Sequence, residues 1–427
     1  MTRTALRRTA TTGWLPLGVL ATAQFLVVLS TSIVNVALPQ IRAGLDLSDT
    51  GQAWTVNAYV LVFGALLLPG GRAGDVYGLR RVFLLGTGLF ALSALGAALA
   101  PTATALIAFR AAMGTGAALL APTALALVLT LYSGRDRRGT ALGVWGAVSG
   151  AGGAAGVLLG GLLTGLYGWR AVFLVMVPLA AAVLVATRLL VGADRPRGGT
   201  LDVPGTVTVT AGLLALAYGL SGPWPAAVAG AALLGLFAVL QRRSAAPLLP
   251  ARMRVVAAPS VLMALLGAVW LGLFYFLPLY QQRSLGYSPL EAGLTQLPLA
   301  LVITLSSWFT GRVSSRRALP LGLLALAAGL AWLSRTPADG TFLADLLGPS
   351  LLVGAGLGTA FVRLTAAAST GVPAADNGLA GGLVNATRQI GGAVGLSFLT
   401  LLPSSGAAFL ACAALTLLIS ALSTRKA

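Results

Sequence analysis

The sequence predicts an all-α polytopic membrane protein with fourteen transmembrane helices, grouped as six, two and six. Three observations predict it. Of the 427 residues 57% are hydrophobic and only 9% charged, with a mean hydropathy of +0.90; a soluble chain of this size needs far more charge to keep its surface wet. Apolar runs of about 17–25 residues, the length a helix needs to cross a bilayer, recur throughout the chain. The basic residues, finally, gather on one set of connections.

Helix 1 is predicted over 15–38. MTRTALRR before it resembles the start of a secretion signal, but the apolar run is too long and ends in VALPQI without a small-residue cleavage site. It therefore reads as a retained span. Helices 2 to 6 follow at 51–71, 82–100, 103–130, 140–166 and 170–191. Two more fall at 205–221 and 225–241, and the last six at 259–281, 290–310, 317–334, 343–365, 378–400 and 403–423. Connections such as 101–102 and 401–403 allow only a turn, so neighbouring helices run antiparallel. The longest polar breaks, VGADRPRGGTLDVPG (191–205) and QRRSAAPLLPARMRVV (241–256), are rich in Pro or Arg. They divide the chain into a bundle over 1–191, a linker with two extra helices over 192–257, and a bundle over 258–427.

The formal charge of +18 invites a nucleic-acid reading, which the positions of the charges remove. With both termini in the cytoplasm, only Arg42, Arg170, Arg283 and Arg335 fall on the outer side, and Arg110 and Arg388 lie within the membrane. All other Lys and Arg are cytoplasmic or at inner helix ends, as the positive-inside rule requires of a multi-pass cell-membrane protein. The charge sets topology. The single Cys412 excludes an intrachain disulfide. An intramembrane enzyme would need metal ligands, a nucleophile–base pair or paired acids. Zero His, one Cys and no central acid argue against that, and no cofactor is implied.

A weak internal repeat supports two bundles: GRAGDVYGLRRVFLLG (71–86) and GRVSSRRALPLG (311–322) each follow a span with Gly-Arg, a polar turn and paired arginines. Parallel repeats of this kind are typical of transporters with a central cavity. In helix 5, Gly152, Gly156 and Gly160 recur every four residues on one face, where another helix can approach closely. That stripe serves either packing or gating. In WLGLFYFLPLY (270–280), Phe274 and Tyr275 lie deep enough to line a pocket for a bulky ligand or simply to pack.

At these motifs the chain resembles the major facilitator superfamily, specifically its fourteen-helix drug:proton antiporters. The loop after helix 2 is similar to the family pattern G-x-L-A-D-R-x-G-R-R, with Gly71, Asp75, Gly78, Arg80 and Arg81 in place. Helix 1 ends in IVNVALP (33–39), and helix 4 carries R-x-x-x-G-x-G as Arg110, Gly114 and Gly116. Helix 5 supplies GVLLGG (156–161), followed by WRAVFLVMVP (169–178), and GLAGGLVNATRQIGGAVG (378–395) matches helix 13 of the subfamily. The resemblance implies that Asp75 faces the start of helix 13 near Asp376–Gly378 when the inner gate is shut, with Arg72, Arg80 and Arg81 bracing the loop. A carboxylate at a helix N-terminus is favourable by roughly 0.3–1 kcal/mol. It also places the glycine stripe of helix 5 at the seam between bundles.

Three positions depart from the family: Ser30 stands where helix 1 usually has an acid, Met113 replaces a Gln, and Val157 replaces the proline of the antiporter signature. The first matters most, because the missing acid is the expected proton carrier and neighbour of Arg110. At ~1.5 Å per residue, Ser30 and Arg110 both lie roughly 10–12 Å below the outer surface. None of the ten acids sits at mid-membrane, whereas Arg110 and Arg388 do. An unpaired arginine there costs about 2.5–3.5 kcal/mol on insertion scales, so the cavity is expected to be electropositive. Arg110 is expected to be neutralised by the ligand together with Ser30, Gln24 and Asn35 of helix 1. Asn57, Arg388 and Gln389 complete the candidate cavity set, and Asp345 and Glu291, near the outer side, are the remaining candidate proton carriers.

The expected function is proton-coupled export of anionic or neutral small organic molecules, such as drugs or antibiotics, by a monomer in the lipid bilayer. The alternatives are an uptake symporter or facilitator for a small organic anion, and a non-transporting membrane sensor.

Overall fold

The computed structural model describes residues 13–132, 135–192, 194, 200–220, 222–244, 247–248, 251–311, 315, 317–337, 339–369 and 377–424. Among them there are helices and no strands. The first six are α1 (Leu15–Leu45), α2 (Asp49–Tyr77), α3 (Leu79–Ala98), α4 (Ala103–Leu131), α5 (Arg135–Tyr167) and α6 (Ala171–Leu190). A pair follows, α7 (Val203–Leu220) and α8 (Trp224–Arg243). The last six are α9 (Ala257–Arg283), α10 (Pro289–Thr310), α11 (Ala318–Leu333), α12 (Leu347–Ser369), α13 (Asn377–Leu399) and α14 (Ser405–Thr424).

Among the described residues eleven helices are long and apolar enough to cross a membrane; α11 (Ala318–Leu333) and the Ala151–Tyr167 part of α5 are shorter apolar segments. The expectation of fourteen plain spans is thereby narrowed. The reason is composition and length: α13 carries Asn385, Arg388 and Gln389, and α11 has 16 residues.

Helix boundaries also differ from expectation. α1 continues through Pro39 to Leu45; a proline removes one N–H, and the rest of a long buried helix absorbs that loss. α2 runs through Gly70 and Gly71 to Tyr77, so Arg72 and Asp75 lie in its last turns rather than in a loop. The whole α2–α3 connection is Gly78, at φ +101°. Only glycine adopts that angle without strain. α6 breaks at Val175 and α10 at Gln296, each just ahead of a proline (Pro178, Pro298) whose missing N–H leaves an upstream carbonyl without its helical donor.

Helices α1–α6 pack on one another as one bundle and α9–α14 as a second. In α4, Gly114 and Gly116 explain themselves: an added Cβ would meet Tyr59 O of α2 at 2.6 Å and Phe90 N of α3 at 2.7 Å. Small residues here allow backbones to touch, which is how helices associate where lipid supplies no hydrophobic drive. The bundles meet along α2–α13 and α5–α10, with α1 also against α9. α7 leans on both α2 and α13, with the rings of Trp54 and Tyr218 edge to face at 6.0 Å. The end of the molecule where α1 finishes and α2 begins is the distal end below.

Candidate functional site

Arg110 is fully buried inside the first bundle. Its Nε donates to Thr55 O at 2.9 Å and Nη1 to Ser30 Oγ at 3.2 Å. The guanidinium lies 4.4 Å from the centroid of Tyr59, whose hydroxyl donates to Val27 O at 3.2 Å. A carbonyl, a hydroxyl and an aromatic face together replace a counter-ion, and Nη2 is left without a partner. In this structure the partners of Arg110 come from its own bundle, and its side chain is fully enclosed. Of the three helix 1 groups assigned to it, Ser30 is in contact, Asn35 donates to Thr31 O at 3.3 Å, and Gln24 is half-buried along α1.

Arg388 is differently placed. At the middle of α13 it is partly exposed, and its guanidinium lies 5.7 Å from the ring centroids of both Trp270 on α9 and Phe361 on α12. Nη2 donates to Asn385 Oδ1 at 3.0 Å, and Nε is buried without a partner. Trp270 in turn packs at a tilt against Phe274 at 5.9 Å and Phe361 at 5.7 Å. Among the described residues no carboxylate pairs with either arginine. A cation over aromatic faces is stabilised by about 0.5–2 kcal/mol, which still leaves a buried donor for an incoming acceptor. Phe274 packs in this group. Tyr275 does not: it is buried edge-on against Phe276 at 5.0 Å on the other side of α9.

Two other candidates hold the bundles together. Asn57 Nδ2 donates to Ser397 Oγ at 3.1 Å across the α2–α13 seam. Two turns further along α2, Gly64 gives way to Gln389: an added Cβ would sit 2.8 Å from Gln389 Cβ. The glycine stripe needs correction. Gly152, Gly156 and Gly160 face Val28, Ser32 and Ile33 of α1, inside one bundle. The seam residue is Gly161, where a Cβ would lie 2.5 Å from Pro289 O, opposite Gly293, whose own Cβ would meet Val157 O at 2.8 Å. One residue is 100° of helix, enough to turn the stripe from the seam to the neighbour.

Glu291 and Asp345 also serve other ends. Glu291 closes a capping box with Ser288, accepting from its N–H at 2.8 Å, and Asp345 accepts from Thr341 N at 2.7 Å. Both satisfy free helix-end donors. At the α2–α3 connection Asp75 is half-buried, Arg72 and Arg81 are exposed, and Asp376 lies outside the described residues. Asp194, which no sequence pattern flags, caps α3 by accepting from Leu79 N at 2.6 Å and Arg80 N at 2.9 Å. Arg80 braces the connection as expected, through Arg188 O at 3.0 Å.

Sequence reasoning also missed a polar group at the distal end. Asp49, which opens α2, pairs with Arg42 of α1 and lies 3.9 Å from Arg283 of α9. Arg283 donates to Gln52 Oε1 at 2.5 Å, and Gln282 donates to Val36 O at 2.9 Å.

Two helical bundles that meet at narrow seams, with charged and aromatic groups held in mid-bundle, define a polytopic membrane transporter. The comparisons agree: the family profile described as Major Facilitator Superfamily matches residues 20–396. The chain belongs to that superfamily. It is 41% identical to the cephamycin export protein CmcT of Amycolatopsis lactamdurans, over 95% of this chain and 87% of that one. It is 40% identical to the puromycin resistance protein pur8 of Streptomyces alboniger, over 93% and 83%. With the tetracenomycin C resistance and export protein of Streptomyces glaucescens it shares 32% over 92% and 76%. Among solved structures, a peptide transporter POT in complex with sulfate superposes with a TM-score of 0.72 at 18% identity, covering 96% of this chain and 94% of that one. At that identity the likeness concerns the fold alone.

Proposed function

We propose that the protein exports small organic molecules of the antibiotic or drug type by alternating access between its two bundles. The observation that carries this is the full-length similarity to export and resistance proteins. Arg388 refines it: a cation with a free buried donor between Trp270, Phe274 and Phe361 favours an anionic or neutral aromatic substrate. A cationic drug would want a fixed opposite charge on leaving water, and no carboxylate stands by either mid-bundle arginine. Proton drive, in this reading, runs through the substrate's own acid. Purified protein in proteoliposomes should move an aromatic acid against its gradient when a pH gradient is imposed; no net movement of any aromatic acid or neutral antibiotic would refute export.

Fourteen spans with both termini cytoplasmic, and the distal end outermost, fit this function. Cysteines placed at Ser221 and Ser405 in a Cys412→Ser background should react with impermeant reagents from outside the cell. Labelling only from the cytoplasmic side would overturn the topology. Asp75 at the opposite end is assigned to stabilising the inward-closed state. Asp75→Asn should then cut transport at least tenfold, about 1.4 kcal/mol, while substrate binding persists; near-normal transport would remove that role.

A further inference from the structure

The distal polar group is more than a surface ion pair. Arg42 and Asp49 belong to the same bundle, so their contact is indifferent to how the bundles stand. Arg283 comes from the other bundle, at the end of α9, and reaches across the α1–α9 junction. Its strongest contact is with Gln52, which is 0% exposed and whose Oε1 is also approached by Arg42 Nη1 at 3.5 Å. Asp49 is three-quarters exposed, and its interaction with Arg283 at 3.9 Å is open to solvent. Arg42, Asp49 and Arg283 rim an open cavity of about 530 Å³, lined also by Pro39, Ala43, Asp46 and Leu47. One residue earlier in α9, Gln282 bonds the carbonyl of Val36 across the same junction.

We propose that Arg283 is the distal latch of the transporter: its bond to buried Gln52, assisted by Asp49, holds this end shut and sets the ratio of closed to open states. The proposal rests on alternating access but on no particular substrate. Separation of the bundles at this end must break the Arg283–Gln52 bond, because the two partners lie on different bundles. It leaves Arg42–Asp49 whole. A charge-assisted bond to a buried acceptor resists solvent far better than an exposed ion pair, which salt screens. The effects should therefore rank Arg283 and Gln52 above Asp49, and Asp49 above Arg42.

The test is a distance measurement between spin labels at Ala43→Cys and Ser284→Cys, exposed positions on the two sides of the junction, in the full chain with Cys412→Ser in nanodiscs. Arg283→Gln should raise the open-to-closed ratio at least tenfold, and Gln52→Ala similarly, with the double variant little beyond either alone. Arg42→Ala should leave the distribution unchanged, and Asp49→Asn should shift it less than threefold. Arg283 is itself partly exposed, so its replacement should not impair folding, and a monodisperse elution profile confirms this for each variant. An unchanged distribution in Arg283→Gln, or an equal shift in Arg42→Ala, would overturn the latch. Because no substrate is present, neither outcome bears on whether the protein exports antibiotics.

Discussion

Gly161→Leu is expected to reduce transport at least tenfold below the unsubstituted protein, without preventing folding. The Cβ alone would lie 2.5 Å from Pro289 O and 3.1 Å from Leu290 Cα. Both are backbone atoms and cannot swing aside as a side chain would. Forcing bulk into a packed interface costs typically about 1–3 kcal/mol, and each 1.4 kcal/mol changes an equilibrium tenfold. The penalty applies only while α5 and α10 are in contact, so it falls on the distally closed state and spares the open one. Gly165, one turn on, has nothing within 4 Å of its added Cβ, so Gly165→Ala should transport normally. Flux into proteoliposomes, with thermal unfolding in detergent as the folding control, separates the cases. Substantial transport by Gly161→Leu would show that this contact is not needed in the cycle.

Arg388→Gln is expected to weaken binding of an aromatic carboxylate at least tenfold, about 1.4 kcal/mol, with little effect on a neutral aromatic of the same size. The guanidinium sits among the rings of the aromatic cage, and among the described residues its Nε has no acceptor. Arg388→Lys should recover only part of the affinity, since an ammonium lacks the planar fork and stacks poorly on rings. Quenching of Trp270 fluorescence by 1-naphthoate, with other tryptophans replaced by Phe, reports binding directly. Tight binding of lipophilic cations, unchanged in Arg388→Gln, would refute the anion-selective cage.

The sequence carried the architecture because membrane helices obey a length rule and a charge rule, both readable from composition along the chain. It carried the pairing of Ser30 with Arg110 for a related reason: depth along a helix converts residue number into height, and the two heights agree. Rotation about the helix axis is harder to read. The glycine stripe of α5 was placed one residue wrong, so that Gly161 rather than Gly160 lies at the seam. Tyr275 was assigned to the face of its neighbour Phe274 by the same kind of error. Helix ends were blurred because the apolar runs stop before the helices do: α1 and α2 continue to Leu45 and Tyr77. Contacts between polar groups distant in sequence, such as Asp194 with the start of α3 or Arg283 with Gln52, leave no local pattern at all.

The position of α7 has a consequence for how an oily molecule reaches the interior. A compound dissolved in the leaflets and drifting sideways towards the protein meets two junctions between the bundles. Along α2–α13, α7 stands against both helices, so that approach ends on the outer wall of an added helix. Along α5–α10 the backbones at Gly161 and Gly293 are themselves the boundary. The inserted pair thus makes the transporter two-sided, with one flank walled against lateral entry and the other depending on whether two glycine-lined helices are apart.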